Sequence, residues 1–425
     1  MKNSRHKLMI GVVALALLIA ALPVMGACAT KPPAEGQALK LGLSICMTGK
    51  AAEKGSPMGH GKLDCFKYIN EELGGVEGYL IDVHHWYDNA YDAAKAATIV
   101  KRLMDEGCLF FTTNSSAMMT ASMEIANRAG FPGLVCFSSP ACTHPPKHIY
   151  AQMPDYGDDW AAFAKYYMEN IWTGPGKPGM ALHLLNNSTG YGARDAARAG
   201  ADALGIEIIA EEEHTATTVS EIESLTRIKG KNPDVIFISS TPAPTAIILK
   251  NAYELGMYPG VTMACAHASF TKALVDLAGA DVAEGVYGVY PTVVWGDDVP
   301  GMAKMMEYCQ RYHPDDEGNL DYMTSWAEAL IDAEILRQAG KNTDYEVLAR
   351  GDAEAWQAVE MNGFRNVKGY DVQGLHGPVD FSNPEDRRGS KSVKVFQVKN
   401  GVITAITDWI EAPLIKYEDF EWFGR

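Results

Sequence analysis

Cys108-Leu109-Phe110-Phe111-Thr112-Thr113-Asn114-Ser115-Ser116 passes from an apolar run into a turn made almost wholly of hydroxyl and amide side chains. Cys108 to Thr112 reads as a buried strand. A helix is expected from about Met118 to Arg128, and Gly133 to Phe137 supplies the next strand. Strand, polar turn, helix and strand again is the unit that builds a parallel sheet flanked by helices. The unit recurs in both directions. Upstream, Leu39 to Met47 reads as a strand and Gly49 to Gly61, rich in Gly, Ser and Pro, as a loop. Leu63, Phe66, Ile69, Asn70 and Leu73 then repeat at helical spacing until Gly74-Gly75. Tyr79 to Trp86 is the second expected strand. Ala93, Ala96, Ala97, Val100, Leu103 and Met104 share one helical face, which Gly107 closes.

Downstream the rhythm restarts. Strands are expected at 180–185, 206–211, 234–238 and 261–264, with helices near 157–171, 191–204, 219–229 and 243–255. From residue 286 the pattern changes: a strand to Tyr290, helices near 300–312, 322–339 and 352–361, and a β finish. That finish comprises Leu375 to Phe381, Val393 to Val398 and the Asn400-Gly401 hairpin turn. Two runs of strands divided near Pro154 predict an α/β fold of two doubly wound parallel-sheet lobes. An eight-fold barrel has the same periodicity and is the alternative.

The amino-terminal stretch has a different character. Lys2, Arg5 and Lys7 precede an uncharged apolar run, Leu8 to Leu22, too short for a bilayer span but suited to a secretory signal. Met25-Gly26-Ala27-Cys28 is similar to a bacterial lipobox, making Cys28 the expected lipidation point. Ala27-Cys28-Ala29 offers a rival cleavage site that would release a soluble protein. With lipidation, residues 1–27 are the expected signal peptide and 28–38 the tether; by either route the remainder is expected to work outside the cytoplasm, periplasmic or at the cell surface.

The remaining chain is too long for one ordinary core and suits two lobes. A net charge of −16 with no basic stripe argues against nucleic acid. The eight Cys have no disulfide-framework spacing, and Cys46, Cys108 and Cys136 lie in apolar runs as small core residues.

In open parallel sheets, ligands bind beyond the carboxyl ends of the strands. Two turns there stand out. Thr112-Thr113-Asn114-Ser115-Ser116 offers hydroxyls and free N–H groups at a helix start, a natural nest for a carboxylate. Ser138-Ser139-Pro140-Ala141-Cys142-Thr143-His144-Pro145-Pro146 is stiffened by its prolines. The competing reading for both is helix capping.

The whole resembles the substrate-binding proteins of branched-chain amino acid ABC transporters, with the type I periplasmic binding protein fold. The resemblance spans about 39–405. It rests on Leu41-Gly42-Leu43 with Thr48-Gly49, Ile69-Asn70-Glu71-Glu72-Leu73-Gly74-Gly75-Val76, Tyr87-Asp88-Asn89 and Asn114-Ser115-Ser116. Ser139-Pro140-Ala141-Cys142-Thr143, Gly190-Tyr191-Gly192 and Pro233-Asp234-Val235-Ile236-Phe237 complete it. The resemblance implies three crossover hinge segments joining lobe one, 39–154 plus 286–367, to lobe two, 155–285 plus 368–425. It implies carboxylate binding at Ser115, with Asn114 and Ser116 beside it, contacts from Ala141 and Thr143, and Tyr191 approaching from the opposite lobe. Partners would be a small-molecule ligand and an ABC permease, with the membrane reached through a lipid anchor, the protein monomeric, and no cofactor or metal.

Two departures shape the expected ligand. Where relatives that bind α-amino acids place an acidic residue for the ammonium, this chain has Ala264-Cys265-Ala266-His267-Ala268-Ser269. Where they often place an aromatic residue, it has Thr241-Pro242. Enclosing an unpaired ammonium is costly. The expected ligand therefore keeps a carboxylate or similar acceptor and lacks the ammonium: an aromatic or short organic acid, an amide or urea. A branched-chain amino acid is the less favoured choice. His267 would donate to a ligand oxygen, unless it serves as a cap or core residue. Thr241 would line the site, and Trp86 or Tyr191 would wall it.

Other motifs carry less. Gly190-Tyr191-Gly192 lacks the spacing and Lys of a phosphate loop. His84-His85, read as strand neighbours, would point to opposite faces. No Gly-x-Ser-x-Gly elbow marks an exported hydrolase. The remaining alternative is a ligand-binding subunit serving a signalling partner.

Overall fold

The computed structural model describes residues 36–417 and 420–424. The leader, Cys28 and all but the last few residues of the tether lie outside the described residues.

Two sheets carry the chain, not one closed barrel. The first is built from β1 (Ala38–Lys40), β2 (Gly42–Ile45), β3 (Leu80–Asp82), β4 (Trp86–Asp88), β5 (Phe111–Ser115), β6 (Gly133–Phe137) and β7 (Ile149–Ala151). Its five-stranded parallel part runs β4-β2-β5-β6-β7, and β1 pairs β3 as a separate two-stranded ribbon. Helices α1 (Ala52–Glu71), α2 (Ala93–Asp105), α3 (Ser116–Ala129) and the short α4 (Pro140–Thr143) connect these strands.

The second sheet takes β8 (Gly179–Leu185), β9 (Glu207–His214), β10 (Val235–Ser239), β11 (Thr262–Cys265), β12 (Tyr287–Tyr290), β13 (Ser392–Lys399), β14 (Val402–Ala405) and β15 (Ile410–Glu411). Its path is β14-β13-β12-β11-β10-β8-β9, with β15 beside β13. The strands from β8 to β12 are parallel, and β13 turns antiparallel against β12. Helices α5 (Tyr156–Asn170), α6 (Ser188–Gly200), α7 (Ile222–Lys229), α8 (Pro242–Glu254), α9 (Lys272–Ala278) and α10 (Ala280–Ala283) flank it. Val235 to Ser239 is buried throughout, as expected of a central parallel strand covered on both faces. Past β12 come α11 (Met302–Tyr312) and α12 (Leu320–Asn342), which return to pack on α1.

Several expectations shift. Leu39 to Met47 is two strands, because Leu41 donates to Asp82 while Leu43 belongs to the five-stranded part. Tyr79 to Trp86 likewise divides into β3, in the two-stranded ribbon, and β4, in the five-stranded part, so His84 and His85 lie in the link between them. Leu375 to Phe381 forms no strand, only two isolated bridges, His376 with Thr292 and Val379 with Tyr370. Strand β12 hydrogen-bonds within the second sheet, so the chain leaves that sheet after Tyr290 rather than at 286. Gly389 donates to Ala151 at 2.7 Å, so the chain is still in contact with the edge of the first sheet there. The Asn400-Gly401 hairpin forms as expected, both residues having positive φ.

The largest difference is α1. Its glycines read as loop formers, yet they are contact points. A Cβ on Gly55 would lie 1.8 Å from the Cys46 carbonyl oxygen, and one on Gly61 would lie 2.1 Å from that of Tyr322. Tertiary packing overrides their low helix propensity. The same helix buries Lys62, whose ammonium reaches Thr112 at 2.6 Å, Glu328 at 2.7 Å and Asp332 at 3.0 Å. Burial pushes the Asp332 carboxyl up to about 7 against the pull of Lys62.

A second polar chain lies between β8, β9 and α7. His214 Nδ1 is 2.9 Å from His183 Nδ1, His183 Nε2 is 3.0 Å from Ser224 Oγ, and His214 Nε2 is 2.7 Å from Ser240 Oγ. Ser224 donates to Glu221 at 2.6 Å, so protons run consistently from Ser240 through His214 and His183 to Glu221 if both rings are neutral. Burial depresses both imidazoles to about 3.

Lys62→Met should therefore cost about 3–5 kcal/mol, because Glu328 and Asp332 lose their cation in a buried setting; denaturant unfolding measures it, and a loss under 1 kcal/mol contradicts this reading. Below about pH 6.5 the unfolded chain takes up protons that folded His183 and His214 refuse, so they withdraw stability as pH falls towards 3. Asp332 acts oppositely, its contribution being present below its ordinary value and lost as pH rises through about 7. Comparing wild type with His183→Gln isolates the histidine part: the variant's stability should fall less between pH 6.5 and 4.

Candidate functional site

The carboxyl ends of both sheets face a common space. An inner cavity there is lined from the first sheet by Cys46, Ala51, Lys54, Gly55, Met58, Tyr91, Asn114, Ser115 and Phe137. Tyr156, Thr189, Thr241 and Ala268 close it from the second. Its free volume is about 30 Å³, room for a water or so. A larger space of about 720 Å³ opens beside it, lined among others by Lys50, Ser139, Ala141, Tyr191 and Asp195.

The inner lining gathers helix starts. Ala51 precedes α1, Ser115 precedes α3, Tyr156 begins α5, Thr189 lies in the first turn of α6, and Thr241 precedes α8. Some starts are held by side-chain caps. Asp155 accepts from Gly157 and Asp158, and Asn187 accepts from Thr189 N–H at 2.9 Å. Ser115, Ser139 and Thr241 stand at N-cap positions yet make no capping hydrogen bond. Capping therefore does not occupy those hydroxyls. Asn114 Oδ1 and the hydroxyls of Thr113 and Ser138 are buried without a partner. Unmet buried acceptors and donors are costly, so these groups suit a ligand or ordered water.

Lys54, on the first turn of α1, is buried and ion-paired with Asp321 of α12. Its ammonium sits 4.1 Å over the Phe137 ring. Tyr290 donates to Asp321 at 3.2 Å, while Asp321 Oδ2 is buried without a partner. Burial raises the Asp321 carboxyl, and Lys54 opposes that rise.

Direct bonds already bridge the sides. Ser188 donates to Ser116 at 3.1 Å, Ser116 lies 3.3 Å from Thr189 Oγ1, and Asn187 donates to Tyr91 at 3.2 Å. Burial pushes the Tyr156 phenol well above its ordinary value.

Of the residues named from sequence, Asn114, Ser115 and Thr241 line the inner cavity, and Ala141 and Tyr191 line the larger space. Ser116 lies in the bridge. Thr143 turns inward, donating to Pro140 at 3.3 Å, and lines neither space. His267 is also behind the wall. Its N–H donates to Asp159 at 2.9 Å, Asp159 Oδ2 is 2.7 Å from Nδ1, and the ring lies between Phe137 and Tyr156, centroids 4.7 Å from each. These contacts hold the ring in place, and its Nε2 is buried without a hydrogen-bond partner. Trp86 stands exposed on edge strand β4, away from both spaces, because strand β4 begins there instead of ending. Sequence reasoning missed Lys54, Tyr91, Tyr156 and Thr189. Lys54 was hidden by reading α1 as loop; the signal available for Thr189 was its place beside Gly190-Tyr191-Gly192.

Among solved structures, a branched-chain amino acid ABC transporter protein from Thermus thermophilus with bound valine is 20% identical, covering 88% of this chain and 97% of its own, with a TM-score of 0.76. A fatty acid ABC transporter substrate-binding protein from Thermomonospora curvata is 18% identical over 90% and 94%, with a TM-score of 0.74. LivJ from Streptococcus pneumoniae, in complex with isoleucine, is 19% identical over 88% and 100%, with a TM-score of 0.69. No curated protein matches significantly. A family model described as periplasmic binding protein matches residues 38–402. That match spans nearly all of the described chain and both sheets around the shared cavity: the chain belongs to the periplasmic binding protein family.

Proposed function

We infer that this protein is the extracytoplasmic solute receptor of an ABC importer, and that it captures a small solute bearing a carboxylate or equivalent acceptor but no ammonium. One observation carries the second half. The inner cavity gathers helix N-termini, hydroxyls of Ser115 and Thr241 that cap no helix, and the Lys54 ammonium, and no Asp or Glu is among its lining residues. Helix N-termini and exposed N–H groups favour negative charge. A cation there would meet Lys54, whose charge Asp321 offsets from behind, and no carboxylate among the lining residues.

The relatives of this fold bear on the choice. One holds valine, one holds isoleucine, and one is named for fatty acids. Those solutes share a carboxylate and differ in whether they carry an ammonium. The wall described here suits the shared group.

Capture follows from geometry. The inner cavity is too small for such a solute with the halves as close as they stand, so entry requires them to part. The divisions near Pro154, after Tyr290 and near residue 390 are the segments on which they would turn. Ser115 would hold the acceptor first, the Asn114 Oδ1 being left to accept from a donor on the ligand or from water, and Thr189, Tyr156 and Thr241 would complete the shell on closure. Tyr191 and Ala141 would guard the approach. Only contacts stronger in the closed form shift the balance, so the second-sheet hydroxyls control closure most. The loaded form would dock on a membrane permease, with Cys28 as the anchor of the exported chain.

Isothermal titration of the mature protein against leucine and against benzoate and short organic acids tests this. An acid should bind and leucine should not; tight leucine binding refutes the missing-ammonium argument. Lys54→Met and Ser115→Ala should each weaken the acid about tenfold to a hundredfold, the scale of a lost charge-assisted or buried hydrogen bond.

A further inference from the structure

We propose that His85, Glu106 and Cys108 form a binding site for a first-row divalent transition metal, zinc above all, at the outer edge of the first sheet. One ligand atom from each of the three, a ring nitrogen, a carboxylate oxygen and the thiol sulfur, lies within 4.8 Å of the others. A tetrahedral zinc shell sets such atoms roughly 3–4 Å apart, so small side-chain adjustments complete it. Imidazole and thiol donors select zinc and its neighbours over magnesium or calcium.

The local backbone prearranges this group. Gly107, at φ +74°, ends α2 in the left-handed conformation. Gly107 N–H bonds the Met104 carbonyl at 3.0 Å and Cys108 N–H bonds that of Leu103 at 3.1 Å, the paired closure of a Schellman motif. That turn sets Glu106 and Cys108 on either side of one glycine. Trp356 Nε1–H holds the Cys108 carbonyl at 2.9 Å from outside the turn. His85 arrives from the link between β3 and β4, its carbonyl fixed by Leu43 N–H at 2.9 Å.

Surrounding groups orient the donors. Glu106 Oε1 accepts from Tyr87 at 2.7 Å and from Arg102 at 2.8 Å, which leaves Oε2 turned to His85 Nδ1 at 2.8 Å. Asp82 Oδ2 stands 3.5 Å from His85 Nε2. A carboxylate on the far nitrogen is the usual way a metal-bound imidazole is oriented. The carbonyl end of α2 adds partial negative charge nearby. His85 and Glu106 are each about a fifth exposed, 19% and 23%, which leaves a way in to the buried Cys108 sulfur. On binding, the thiol proton leaves to solvent and sulfur ligates as thiolate; no redox step is involved.

This site is separate from solute capture. His85 precedes β4 and Cys108 precedes β5, so both lie at the amino ends of strands whose carboxyl ends face the cavity. A bound ion would clip the β3–β4 link to the end of α2.

Zinc alone, titrated into the reduced, metal-stripped full chain, should bind at one per chain and raise the thermal midpoint. Cobalt in its place should show a thiolate-to-metal charge-transfer band. His85→Gln, Glu106→Gln and Cys108→Ser should each weaken zinc at least tenfold, with folding of each checked by circular dichroism. His84→Ala should leave it unchanged, since His84 is a solvent-facing neighbour. Absence of stoichiometric zinc, a cobalt spectrum without the thiolate band, undiminished binding in folded His85→Gln and Glu106→Gln, or loss of binding in His84→Ala would each overturn the assignment.

Discussion

Everything around the cavity depends on how α1 lies against α12. Two lysines of one helix, Lys54 and Lys62, meet three carboxylates of the other, Asp321, Glu328 and Asp332. Such spacings bring each set onto one helical face. Buried charges of this kind tolerate little misalignment, because either partner alone would be stranded in an apolar setting. The glycines of α1 let the backbones come close enough for the pairs to form. Together they set the rotation of α1, and that rotation delivers Lys54 to the cavity wall.

The same wall shows how a parallel sheet becomes a binding surface without any catalytic constellation. Strand ends release the chain into helix starts, and each start offers unpaired N–H groups. Where Asp155 or Asn187 caps a helix, the cap serves structure. Where Ser115, Ser139 and Thr241 cap no helix, their hydroxyls are left to other partners, as Ser115 is to Tyr91. The distinction between a capping serine and one that faces a ligand is therefore a hydrogen-bond question, and the two kinds alternate around one crevice.

Much of this was legible beforehand. Period and punctuation gave the strand–helix alternation, because buried parallel strands are unbroken apolar runs and their helices end at glycines such as Gly107 and Gly130. The hydroxyl-rich stretch at 112–116 pointed to the cavity although it is no turn: Thr112 to Ser115 are the carboxyl half of β5, and Ser116 opens α3 directly. Failures cluster where a residue type serves two physical ends. Gly55, Gly59 and Gly61 looked like loop and proved to be close packing. His267 reads from sequence as a ligand donor or as a cap or core residue, and Asp159 and two aromatic rings enclose it. His84 and His85 were read as strand neighbours, while the chain passes from the two-stranded ribbon to the five-stranded part between β3 and β4 and frees His85 to meet Glu106 and Cys108.

Local sequence thus determined the elements, their order and the parallel α/β class, since propensity, period and turn chemistry act over a few residues. Only the tertiary structure decided which groups are neighbours. Lys54 and Asp321 are separated by most of the chain, as are Ser116 and Thr189 by a whole sheet-to-sheet passage. No periodicity encodes such pairs; they arise because burial forces every charge and hydroxyl to find a partner wherever packing brings one within reach.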